Sequence, residues 1–127
     1  SSGIPIVPTK TLSEELMKTY TSSGIDSTIK RLGNIYSNEQ TLFTLNEDEA
    51  IFFSNDLVEL HKTSDAIIYL KDILKLYPKS FNITVAIGNA YLKDNNNGLA
   101  LRYYKLAAQI NNSNPRVNNL IKRLSGR

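Results

Sequence analysis

The feature that most constrains this 127-residue chain is an internal period of 34 residues. Aligning "SDAIIYLKDILKLYP" (64–78) with "GLALRYYKLAAQINN" (98–112) puts Ala66 over Ala100, Leu70 over Tyr104 and Leu74 over Ala108. Ser54 falls over Gly88 and Leu57 over Tyr91 at the same offset. A period of this length is one helix–turn–helix unit, which cannot bury its apolar face alone and is stable only when stacked on its neighbours. The fold class expected is therefore all-α, a stack of helical hairpins.

Spacing within each unit is helical. Ile83, Ile87, Ala90 and Tyr91 make one stripe, and Leu99, Tyr103, Leu106 and Ile110 make another. "KDNNNG" between them reads as a turn, because Asn and Asp tolerate left-handed backbone. Ser80 or Asn82 is placed to cap the helix that follows, and Asn114 before Pro115 is a cap and first-turn signal. Upstream, "LNEDEAIFFSNDLVELHK" opens with acids where the helix dipole favours them. An earlier helix has Ile25, Ile29, Leu32 and Tyr36 as its stripe. The spacing predicts about seven helices, over 12–22, 26–36, 46–61, 64–77, 81–94, 97–110 and 114–125. They form three hairpins and a capping helix. Residues 1–10, with two prolines and no helical period, read as a linker or expression scar ahead of one helical domain over 11–127. The best repeats span 47–80 and 81–114, and the cap helix spans 114–125.

Ile87–Gly88, Tyr91, Ala100, Tyr104 and Ala107 together resemble a tetratricopeptide repeat. Thr84 stands where that pattern has Trp, and Asn112 where it has its closing Pro. The preceding unit keeps Ala66 and Pro78 but has Ser54, Leu57 and Leu70 for the Gly and the aromatics. The resemblance implies small residues where helices cross and aromatics between repeats. A wider stretch, residues 45–124, resembles the helical tail that follows the catalytic domain of many bacterial serine hydrolases. These are beta-lactamase-like and esterase-like proteins of the Bacteroidetes type. The shared pattern is an acidic helix start, a hairpin ending in Tyr77–Pro78, the "GNAYL" helix, and a short helical pair near 12–36 after a Pro-containing linker. That resemblance implies a catalytic domain upstream and a periplasmic or secreted location.

Chemistry of its own is hard to find in the chain. There is no Cys, hence no thiol nucleophile and no thiolate metal site. Ser27–Lys30 fits Ser-x-x-Lys, Tyr36–Asn38 fits Tyr-x-Asn, and Lys62–Thr63–Ser64 imitates the third triplet of the serine beta-lactamases. That third triplet belongs on a strand, and here it bridges two helices. No catalytic residue, cofactor or metal site is assigned. The single histidine, His61, is expected to cap the end of the 46–61 helix, and "DNNNG" lacks the alternating acids of a calcium loop. Tyr69, Tyr77, Tyr91, Tyr103 and Tyr104 are read as packing residues at helical spacing, and the Lys and Arg are too scattered for a nucleic-acid module.

What remains is a groove. In such a stack the first helix of each pair lines one face, and Asn55 and Asn89 take equivalent places there, beside Lys93. Arg116, Asn119 and Arg123 continue the face on the last helix. Asn with Lys or Arg suits a peptide backbone or a carboxylate. A clamp for a carboxylate would put Lys where Ile51 and Val85 stand, and the competing reading is a solvated groove with no ligand. Charge is split as well: residues 1–72 hold six Lys/Arg against eleven acids, and 73–127 hold nine against Asp94 alone. Such asymmetry can steer a partner or can be solvated surface. The reading is a non-catalytic interaction or accessory module whose partner is a protein or peptide, the upstream catalytic domain included. The alternatives are a free-standing peptide adaptor and, from another class, a hydrolase with its own site. Membrane, nucleic acid and small-molecule substrate are set aside as partners.

Overall fold

The computed structural model describes residues 10–126, and the proposed linker falls outside them except for Lys10. The described residues are all-helical, with α1 over Leu12–Asn38, α2 over Glu47–Glu59, α3 over Thr63–Leu76, α4 over Phe81–Lys93, α5 over Asn97–Ile110 and α6 over Pro115–Leu124. Six helices stand where the spacing predicts about seven, because the two early ones form a single run. That run is broken at Gly24, whose φ of 85° and ψ of −174° suit a residue without Cβ. None of the helices is long and apolar enough to cross a membrane.

The chain divides into two compact units, residues 1–53 and 54–127. In the first, Gly24 turns α1 back on itself. Glu15 and Arg31 would lie about 24 Å apart along a straight helix, yet Arg31 Nε donates to Glu15 Oε2 at 3.1 Å. The same guanidinium grips Glu39 with both terminal nitrogens, Nη2 at 3.0 Å from Oε1 and Nη1 against Oε2. The two halves are thus fastened across their polar side, while Leu12, Leu16, Leu32, Ile35 and Phe43 are buried. The buried face of the second half is Thr28, Leu32 and Ile35 rather than Ile25, Ile29, Leu32 and Tyr36, of which only Leu32 is buried. Thr28 is tolerated there because its hydroxyl donates to Gly24 O at 2.8 Å.

In the second unit α3 packs on α4, α4 on α5 and α5 on α6. The connections are short, residues 77–80, 94–96 and 111–114, which joins neighbours as antiparallel hairpins. Backbone geometry repeats with the sequence. Asn46, Ser80 and Asn114, each 34 residues from the next, accept the N–H of Glu49, Ile83 and Val117 respectively. Each satisfies an amide the helix start leaves free. Ser80, not Asn82, is the cap of α4.

The helix ends repeat too. His61 and Asn95, 34 apart, have φ of 61° and 59°. In both turns the left-handed residue donates back three positions and the next residue donates back five: His61 to Val58 and Lys62 to Leu57, Asn95 to Leu92 and Asn96 to Tyr91. This is the Schellman closure of a helix. His61 therefore ends α2, as its position suggests, and does so through its backbone conformation.

Ile83, Ile87, Ala90 and Tyr91 are buried, as their spacing predicts. The stripe expected on α5 is wrong. Leu106 is 40% and Ile110 45% exposed, and the buried residues are Ala100, Tyr104 and Ala107. The small side chains of Ala100 and Ala107 let α4 come close, and Ala66, Leu70 and Ile73 are the buried residues of α3 one period earlier. Pro78, by contrast, is exposed in the α3–α4 connection.

Candidate functional site

A groove of about 440 Å³ lies in the second unit, lined by Ser54, Asn55, Val58 and Glu59 of α2, Leu70 of α3, and Ala86, Asn89, Ala90 and Lys93 of α4. Asn55 and Asn89 share it because they occupy the same position one period apart, on helices of the same register. Glu59 and Lys93 are likewise 34 apart, so the period that repeats the amide reverses the charge. Sequence reasoning named Asn55, Asn89 and Lys93. It missed Glu59, although the same offset would have found it.

Asn89 is held from behind. Tyr104 Oη donates to Asn89 Oδ1 at 2.6 Å, and Arg116 Nη2 reaches the same oxygen at 3.5 Å. With its oxygen occupied, the amide offers its N–H groups to the groove. Tyr104 is fully buried, and burial, which disfavours the phenolate, holds its pKa above the ordinary phenol value against the opposing charges of Arg116 and Arg123. It stays a neutral donor. Arg116, Asn119 and Arg123 are exposed on α6. Of these three, Arg116 reaches Asn89 directly, while Arg123 acts on Tyr104 through its field.

Gly88 supports this arrangement. A Cβ built there would stand 2.8 Å and 2.9 Å from two ring carbons of Tyr104, so the ring lies directly on the α4 backbone one residue from the amide it orients. About one turn further along α4, the rings of Tyr91 and Tyr103 are 5.7 Å apart and Lys71 Nζ sits 5.3 Å over Tyr91. A cation over an aromatic face is attracted by the ring quadrupole. The Tyr91 hydroxyl raises the Lys71 pKa above the ordinary lysine value.

The hydrolase-like triplets fall on helices or at a helix start. Ser27, Lys30 and Tyr36 are carried on α1, while Thr63 and Ser64 open α3, a helix rather than the strand such chemistry uses. Among the described residues, no group of His, Asp and Glu is arranged to hold a metal ion. No family model matches this sequence, and no curated protein matches it.

Proposed function

We propose that this chain is a non-catalytic protein-interaction module built of tetratricopeptide-like repeats, and that its groove between α2 and α4 takes an extended peptide. The observation that carries the reading is the pair Asn55 and Asn89, one period apart and lining one groove with Glu59 and Lys93. Two amides at a fixed interval can serve a peptide backbone whatever its side chains, Asn89 as a donor and Asn55 as donor or acceptor. The charges of opposite sign favour a segment with a base at one end and an acid at the other. A titration of labelled protein with peptides of that charge order tests it. Resonances of Asn55, Asn89 and Lys93 should move first, and Asn55→Ala with Asn89→Ala should weaken binding by about tenfold or more, the loss expected for one to two hydrogen bonds. Equal binding by the double variant would refute the site.

A second reading is favoured by the resemblance of residues 45–124 to the tails of bacterial serine hydrolases. On that reading the chain is the C-terminal accessory portion of a larger hydrolase, and its peptide partner belongs to the catalytic domain. The two readings share the groove and differ in whose segment fills it. A reading frame without a catalytic domain upstream of residue 1 would exclude the second and leave the free-standing adaptor.

A further inference from the structure

We propose that α5 is a receptor for α2 of a second copy of this chain, joining copies head to tail. The receptor is a shallow depression of about 370 Å³ on the outer face of α5, lined by Gly98, Leu101, Arg102, Lys105, Leu106 and Gln109. Leu101 and Leu106 make its lining apolar, Gly98 adds no side chain to it, and Arg102 and Lys105 bring two positive charges. Leu106 and Ile110 are the α5 residues that the spacing marks as core and that stand exposed. The helix thus has two apolar faces, and the fold of one chain buries one of them.

The complementary surface is on α2. Asp48, Phe52 and Asp56 follow one another at i, i+4 and i+8, and so share a face. Phe52 is 47% exposed and both aspartates are exposed. An aromatic ring between two acids matches a leucine-lined depression carrying two bases in polarity and charge. Among the described residues neither Asp48, Asp56, Arg102 nor Lys105 is in an ion pair. Asp56 is placed against its own helix, in the C-terminal half of α2, where the dipole disfavours an acid and the last turn has no base. A charge that its own helix disfavours is useful where it meets a base on another chain.

The two surfaces are different patches, so the contact is heterologous: each copy offers both a ring and a depression. Such contacts continue into rings or open chains of copies. A second copy is favoured over an unrelated acidic helix because the matching face is present in the same chain at equal concentration.

Sedimentation velocity over rising protein concentration tests the inference. At low salt the wild-type chain should shift toward larger species, and the shift should shrink as salt screens the pairs. Phe52→Ser, which loses the ring, and Arg102→Glu with Lys105→Glu, which loses the bases, should each run as a monomer. Unchanged thermal melts should confirm that these surface variants still fold. Mixed in equal amounts, the two variants retain one intact pairing, so they should form a dimer and nothing larger. A wild-type chain that stays monomeric at low salt and high concentration would overturn the proposal. So would variants that associate as the wild type does, or a mixture that remains monomeric.

Discussion

Replacing Gly88 with alanine sets two opposing effects against each other, and their sizes can be worked from the structure. Alanine is favoured over glycine inside a helix by about 1 kcal/mol. Against this, the new Cβ would lie 2.8 Å and 2.9 Å from the Tyr104 ring, short of the 3.4 Å at which ordinary contact begins. The ring is buried and tethered by its hydroxyl to Asn89 at 2.6 Å, so it cannot swing away as a flexible side chain would. Overpacking of this kind costs about 1–3 kcal/mol, and disturbing the hydroxyl's bond adds about 1 kcal/mol. The net expectation is a loss of about 1–3 kcal/mol, or a Tm lower by roughly 3–15 °C for a chain of this size. Circular dichroism melts at neutral pH measure it. Gly33→Ala is the control: Gly33 is exposed on α1 with nothing within 4 Å of a built Cβ, so the propensity gain should act alone and raise the Tm. The repeat over 47–80 offers a rescue, since it has Ser54 and Leu70, both buried, where the repeat over 81–114 has Gly88 and Tyr104. Gly88→Ser should destabilise, and adding Tyr104→Leu should recover part of the loss, a coupling of about 0.5 kcal/mol or more. An unchanged or raised Tm in Gly88→Ala would refute the close approach and the register on which the groove depends.

Ala100, fully buried where α5 meets α4, should lose about 1–3 kcal/mol on substitution by leucine, read in the same melts; no change would mean that the α4–α5 packing is misassigned. Hydrogen bonding from Arg31 holds the Glu39 carboxyl below its ordinary value of 4.5, so the stability it lends is complete above about pH 4.5 and fades as pH falls through the lowered folded-state value. The Tm gap between wild type and Glu39→Gln should accordingly be widest near neutrality and close in acid, and a gap independent of pH would count against the Arg31 fastening. Incubated with nitrocefin or a simple ester, the chain should show no turnover, and hydrolysis abolished by Ser27→Ala would overturn the non-catalytic reading.

Local signals in the sequence located most of the helices of this fold. Ser80 and Asn114 were visible as caps because a polar residue before an apolar period has few other uses, and Gly88 and Ala100 stood out by being small at a crossing. The α5 stripe was misread because that helix has two interleaved apolar sets. Periodicity finds both and cannot say which one a neighbour covers; the alanines mark the buried one, since only they permit close approach. The Arg31 cluster was invisible for a different reason: Glu15 and Glu39 become neighbours of Arg31 only once Gly24 has reversed the chain. In the groove, the offset of 34 linked Asn55 to Asn89, but the bond from Tyr104 to Asn89 joins two helices and leaves no trace in either pattern.

The caps at Asn46, Ser80 and Asn114 carry a consequence for how such a chain can change length. The segment from Ser80 to Ser113 begins with a capping side chain, and the residue after its end is the cap of the next helix. Cut at those two points, it is a tile with matching edges. A second copy of residues 80–113 inserted before Asn114 would present α3-like and α6-like neighbours with the junctions they already make. Deleting one residue from within a helix would instead rotate everything after it by about 100° about that helix's axis. Growth by whole tiles is cheap and growth by single residues is not, so the natural lengths open to this architecture are spaced like rungs, 34 residues apart.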